Sequence, residues 1–188
     1  MTELIRVASA LQDFCESRQW HFCIIGGLAL QRWGEPRETI DVDLTLLTGF
    51  GGEAPFIDAL LERFEGRVDD PAGFARTNRV LLLRSASGVG IDIALGGLPF
   101  EESVVSRATR FAFPGDLFLL TCSAEDLIVL KAFAARGQDW VDIEGVIIRQ
   151  TGRLDWTYID QQLRPLATLK DAPEILTELA RRRVELER

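Results

Sequence analysis

Apolar positions along the chain first follow mixed strand and helix periods, then a helical period alone. Leu4, Val7, Ala8, Leu11 and Phe14 recur at helical spacing and predict an amphipathic helix over residues 2–18. The short apolar run His21–Ile25 stops at Gly26-Gly27, the pattern of a buried strand entering a tight turn, and a short helix over Leu28–Trp33 leaves that turn. A second strand is expected over Ile40–Leu47, closed by the glycine-rich stretch Gly49–Gly52, and Phe56, Leu60, Leu61 and Phe64 mark a surface helix. Val80–Arg84 and Val89–Leu95 flank Ser85-Ala86-Ser87-Gly88 as the arms of a hairpin. Arg110–Phe113 reads as a last short strand before Pro114-Gly115.

From Ser123 onward the pattern is helical. Ser123-Ala-Glu-Asp126 resembles a capping box, and Leu127, Leu130, Phe133 and Ala134 follow it on one face. Further helices are expected over Asp139–Arg149, Trp156–Leu166 and Ala172–Glu187. This order predicts an α+β fold, with a small mixed β-sheet flanked by helices over residues 1–115 and a helical part over 116–188. The change of pattern near residues 115–122 either separates two lobes or marks the edge of one continuous domain.

Composition narrows the class. The 188 residues are 47% hydrophobic and 27% charged, which suits a globular core and excludes a disordered chain. Against 21 basic residues stand 29 acidic ones, a net charge of −8, and both halves of the chain are acidic. A broad nucleic-acid-coating surface is therefore not expected, because such binding rests on Lys and Arg neutralising many phosphates. One histidine and three scattered cysteines leave almost no material for a zinc site or a Ser-His-Asp triad. Cys15, Cys23 and Cys122 read as buried free thiols, there is no secretory leader, and no apolar run approaches the ~20 residues of a membrane span. These features point to a cytoplasmic protein with no membrane partner, whose chemistry rests on carboxylates.

Three acids stand out. Strand alternation puts Asp41, Asp43 and Thr45 on one face of the second strand, with Ile40, Val42, Leu44 and Leu46 on the other. Carboxylates one pleat apart repel, which calls for a compensating cation, and hard Mg²⁺ prefers such oxygens while keeping positions open for phosphates. The plainer alternative is a strand whose charged face lies in water. Gly26-Gly27 ends a strand and opens a helix, so its bare amides can face an anion, or it can be a simple tight turn. Gly90, Asp92 and Ala94 share a face, which leaves Asp92 a lone charge flanked by small residues in an apolar strand. With Asp41 and Asp43 it completes the set for a two-metal displacement.

Gly-Gly, thirteen intervening residues and then Asp41-Val-Asp43, preceded by Arg37-Glu-Thr39-Ile, resembles the nucleotidyltransferase fold. The later block Lys131-Ala-Phe-Ala-Ala-Arg136-Gly-Gln-Asp139-Trp-Val-Asp142 resembles the signature of the AbiEii-type nucleotidyltransferases, some of which are toxins of toxin–antitoxin systems. The resemblance covers residues 24–143. It implies Asp41, Asp43 and Asp92 as metal-holding catalytic acids for Mg²⁺ or Mn²⁺. It also implies Gly26, Gly27, Arg37, Thr39, Lys131 and Asp142 as nucleotide-binding residues, with Lys131 aimed at the triphosphate and catalytic by neutralising the charge that develops on it. The implied reaction moves an NMP from an NTP such as ATP to a hydroxyl of an RNA or protein acceptor, with a cognate antitoxin as partner. Many relatives carry Gly-Ser where this chain has Gly26-Gly27, so backbone amides alone would meet the phosphates.

Each piece of the second block has a plainer reading. Lys131 and Lys170 are the only lysines, and Lys131 lies beside the apolar stripe of its helix, where a snorkelling side chain would also sit. Asp139 and Asp142 can pair with Arg136 and Lys131 and simply hold two helices together. Arg181-Arg182-Arg183 is either a local contact for an acceptor or a solvated helix face. Two further functions stay open: an inactive relative serving as a partner-binding module, and a transferase acting on a cationic small molecule of the aminoglycoside type.

Overall fold

The chain opens with α1 (Thr2–Ser17), whose Leu4, Ile5, Ala8 and Leu11 are buried along one stripe, as its helical spacing requires. The computed structural model describes residues 2–187 and divides the chain into two units. One comprises residues 1–28 and 38–122; the other comprises 29–37 and 123–188.

The first unit carries the sheet. β1 (Phe22–Ile24) runs into α2 (Gly26–Trp33), of which residues 26–28 belong to this unit. Then come β2 (Asp41–Leu47), α3 (Ala54–Leu61), β3 (Glu65–Gly66), α4 (Pro71–Asn78), β4 (Val80–Arg84), β5 (Gly90–Gly96), α5 (Pro99–Ser106), β6 (Thr109–Phe113) and β7 (Leu117–Thr121). The strands form one mixed seven-stranded sheet in the order β3-β4-β5-β2-β1-β7-β6. β2 pairs in parallel with β5 and β1 in parallel with β7, and the remaining pairs are antiparallel.

One face of this sheet supplies Val42, Leu44, Leu46, Leu81, Leu83, Ile91 and Ile93, none of them exposed, to a core shared with α1 and with Ile57 and Leu60 of α3. Each such side chain contributes about 1.5–3 kcal/mol by leaving water. On the opposite face α5 packs on β1 and β2, and the Cys23 thiol of β1 lies 3.9 Å from the Val104 carbonyl that accepts from it. Buried Thr45 faces the same way, so this face is closed at the Thr45 end.

The expected strands and the first helix are present, with four corrections. Ile40 is 71% exposed and precedes β2 instead of sharing its apolar face. α3 stops at Leu61, short of Phe64; its Ile57 and Leu60 face the core while Ala54, Pro55 and Asp58 stay exposed, as on a surface helix. β6 is not the last strand, because the apolar run of β7 pairs with it as a hairpin. Two helices, α4 and α5, were not anticipated; α4 starts where Asp70 caps the Gly73 amide at 2.9 Å and Pro71 takes the first turn.

The second unit contains residues 29–33 of α2, then α6 (Ala124–Ala134), α7 (Gly137–Arg149), α8 (Trp156–Leu169) and α9 (Glu174–Leu186). Ser123 caps α6, its hydroxyl accepting from the Asp126 amide at 3.1 Å. The buried face of α6 differs from the expected stripe: Leu127, Ile128, Val129 and Ala132 are enclosed, while Ala134 is exposed. The Arg149 side chain donates to the Gly34 carbonyl at 2.7 Å and Gln150 to the Trp33 carbonyl at 3.0 Å, tying the segment after α2 to α7. All three cysteines are buried. No described helix is long and apolar enough to cross a membrane.

Candidate active site

The alternation of β2 turns Asp41 and Asp43 away from its buried Val42, Leu44 and Leu46. The parallel register then decides their neighbours. Asp43 lies beside Asp92, Asp41 beside Gly90 and Thr45 beside Ala94, so three carboxylates meet on one face at the start of two paired strands. A Cβ at Gly90 would meet the Asp41 carboxylate, which would have to move aside.

The turn after β1 meets the same acids. Gly26 has φ +60°, a left-handed conformation that glycine adopts without strain, and a Cβ on it would overlap the Asp43 carboxylate. The Gly27 amide points at Asp43 Oδ2 across a long 3.4 Å, and a Cβ on Gly27 would collide with the Thr39 side chain. The Thr39 hydroxyl donates to the Asp41 carbonyl at 3.5 Å. Asp41, Asp43, Asp92, Gly26, Gly27 and Thr39 are thus assembled in one place within the sheet unit.

A residue with no motif joins them. Arg67, just beyond β3, forms an ion pair with Asp92, their side chains being 24% and 34% exposed. Burial pushes the Asp92 carboxyl above its ordinary range; the Arg67 guanidinium pulls it back and the Asp41 charge adds to the rise. Nothing in the spacing around Arg67 singles it out, since its place follows only from the pairing of β3 with β4.

These residues fit a hard divalent cation in chemistry: oxygen donors only, on one face, with one of the three paired to an arginine. Among the described residues no group of three or more acidic, His or Cys side chains is placed to hold a metal ion. Mg²⁺ does not demand one, because it is commonly held by one or two carboxylates with water and substrate phosphates completing its shell.

The helical unit holds the other anticipated residues. Lys131 of α6 is buried, and its Nζ donates to Asp142 Oδ2 at 2.6 Å and Asp139 Oδ1 at 3.3 Å. Arg37 clasps Asp142 in bidentate fashion, Nε to Oδ1 at 2.9 Å and Nη2 to Oδ2 at 3.0 Å. Gln138, also not anticipated, donates to Asp142 Oδ1 at 2.9 Å from one helical turn earlier. Asp139 accepts from the Arg136 amide at 3.2 Å and its Nε at 2.7 Å, which closes the start of α7. Burial opposes the charged forms of Asp139 and Asp142, yet hydrogen bonds from Arg136 to the one, and from Arg37, Lys131 and Gln138 to the other, outweigh it and hold both carboxyls below the ordinary range. Lys131, Asp139, Asp142 and Arg136 therefore join α6 to α7, and Arg37 adds the segment after α2.

No curated protein sequence matches the chain. Among solved structures the chain is similar to an antigenic nucleotidyltransferase-like protein from Paracoccidioides brasiliensis, with 20% identity over 96% of this chain and 93% of that one and a TM-score of 0.53. It is also similar to the antibiotic-resistance factor ANT(2'')-Ia in its solution structure, with 17% identity over 98% and 93% of the two chains and a TM-score of 0.50. At these identities the likeness establishes a shared nucleotidyltransferase fold. Residues 11–153 match the family described as nucleotidyl transferase AbiEii toxin, type IV TA system, a span that includes both the β2–β5 acids and the Lys131–Asp142 block. The chain belongs to the AbiEii family of nucleotidyltransferases.

Proposed function

We propose that the protein transfers an NMP from a nucleoside triphosphate to a hydroxyl group, with Asp41, Asp43 and Asp92 as the acids that carry the reaction. The observation that supports this most is the β2–β5 register, which sets Asp43 beside Asp92 and Asp41 beside the bare Gly90. Mg²⁺ or Mn²⁺ held by these carboxylates would neutralise charge on the α-phosphate and the departing pyrophosphate.

The remaining roles belong to the chain itself. The amides of the Gly26-Gly27 turn, at the start of α2, face negative charge already, since Gly27 points at Asp43. They are suited to receiving phosphate oxygens. Asp92 would either hold a second metal or accept the proton of the attacking hydroxyl. The acceptor oxygen forms a bond to the α-phosphorus, the bond from that phosphorus to the β-phosphate bridge breaks, and pyrophosphate leaves. For Arg37, Lys131 and Asp142 the proposal keeps the nucleotide-binding role implied by the family signature.

The acceptor is proposed to be an RNA or a protein, the chain acting as the toxin of a pair with a cognate antitoxin. A cationic small molecule is the second reading, favoured by the net charge of −8. Purified protein incubated with each of the four labelled NTPs, Mg²⁺ or Mn²⁺, and RNA, protein or aminoglycoside acceptors should label one acceptor class. Asp43→Ala should abolish the labelling while the protein stays folded. Labelling that survives Asp43→Ala, or no labelling of any acceptor by the wild type, would overturn the proposal, and the second outcome would favour an inactive, partner-binding relative.

A further inference from the structure

The next inference rests on the metal-binding reading above and concerns a residue outside both sequence motifs. Arg67 extends the β3–β4 ladder by one residue, its amide donating to the Leu82 carbonyl at 3.0 Å. Leu82 pairs with Asp92, and Asp92 with Asp43. Arg67, Leu82, Asp92 and Asp43 therefore form one row across four adjacent strands. The guanidinium lies over Gly90, where the position of a missing Cβ is 3.2 Å from Arg67 Nη1 and overlaps the Asp41 carboxylate. A side chain at Gly90 would push away the arginine and Asp41 together.

The way Arg67 is held differs from a permanent brace. Arg37 places two of its N–H groups on Asp142 with good geometry. The Arg67 Nε is buried and has no hydrogen-bond partner among the described residues. An arginine that only fastened β3 to β5 would be expected to satisfy that donor. Arg67 is instead a cation placed against an acid cluster with one of its donors unmet.

We infer that Arg67 is the resident counter-ion of the carboxylate cluster, and that a divalent cation binds there by displacing it from Asp92. Before the metal arrives, the guanidinium limits the repulsion among Asp41, Asp43 and Asp92. When the metal enters, Asp92 exchanges one positive partner for another, so its charge is paired before and after. Arg67 is thus a positioning residue that sets metal affinity through Asp92.

Mn²⁺ titration followed by electron paramagnetic resonance tests this in the whole chain without any nucleotide. Arg67→Gln, which keeps polarity and loses charge, is expected to bind Mn²⁺ about tenfold more tightly than wild type at a site that Asp43→Asn removes. The wild type supplies a measurement that needs no variant to fold: the Arg67 Nε–H resonance should move as Mg²⁺ is added and reach its endpoint when the site is full. Equal or weaker Mn²⁺ binding by Arg67→Gln, or an Arg67 resonance that stays still while the site fills, would overturn the displacement. Mn²⁺ binding absent from every form, or undiminished in Asp43→Asn, would instead overturn the underlying metal reading.

Discussion

Asp142 in the helical unit is buried and Asp92 on the sheet half-buried, with side chains 2% and 34% exposed, and their surroundings treat them differently. Asp142 accepts from Arg37, Lys131 and Gln138, and its carboxyl is held low despite burial. Asp92 has one cation, Arg67, beside two further acids on the same face, and its carboxyl is pushed up. The difference separates acids that fasten a fold from acids kept available. Where donors saturate a carboxylate it is held ionised in one place; where they fall short, a cation from outside is favoured.

The strongest way to break the comparison is to treat the fastened acid as if it were dispensable. Asp142→Ala leaves the buried Lys131 ammonium, among the described residues, with the 3.3 Å contact to Asp139 and strips Arg37 of its bidentate partner. A loss of about 3–5 kcal/mol in urea unfolding is expected, the usual cost of orphaning a buried ion. A loss under about 1 kcal/mol, the worth of an exposed pair, would show that the network fastens nothing.

The sheet acids should behave in the reverse manner. Asp43→Asn is expected to lower the transfer rate on the order of a thousandfold, as removal of a central electrostatic group does, while the melting temperature stays near that of wild type. Similar damage to rate and stability in this variant would erase the distinction between the two sets.

A smaller effect is expected from Gly90→Ala, whose new methyl group meets the Asp41 carboxylate and the Arg67 guanidinium. Overpacking of this kind costs about 1–3 kcal/mol, and activity should fall along with it because Asp41 is displaced. Unchanged stability and activity would mean that the cluster is looser than its packing shows.

The mildest probe is pH. Asp139 and Asp142 have folded-state values below the ordinary 3.8, so the stability they supply is present above that value and is lost as pH falls through their lowered values. Asp92 has the opposite sign: its contribution is present below 3.8 and is lost as pH rises through its raised value. Asp142→Asn should therefore flatten the acid limb of the stability curve, whereas Asp92→Asn should compare more favourably with wild type at neutral pH than at pH 3. Parallel curves for the two variants would contradict the contrast.

Much of the sheet unit was legible because its signals are local. Alternation along Asp41–Leu47 showed which side chains share a face, and Gly26-Gly27 marked its turn. The partner of β2 was not legible, since parallel pairing with β5 joins residues far apart in sequence through several intervening elements. Arg67 was invisible for the same reason: only the β3–β4–β5 order carries it to Asp92. The start of α4 was readable in Asp70-Pro71, a cap followed by a first-turn proline, and was passed over because the helix is short and only Ala75 in it is buried. β7 was missed because the run Leu117–Thr121 is apolar without alternation, which periodicity cannot tell from buried helix. In the helical unit the Lys131–Asp139–Asp142 links were readable from spacing across two helices, but the part played by Arg37 was not, because its partner lies 105 residues away.

The central claim is that Asp41, Asp43 and Asp92 form a metal-assisted triphosphate site. Calorimetric titration of a non-hydrolysable NTP into wild type and Asp43→Asn, each with and without Mg²⁺, tests it directly. The account predicts binding to wild type that requires Mg²⁺ and is lost in Asp43→Asn. Equal affinity in both proteins, or binding indifferent to Mg²⁺, would contradict it.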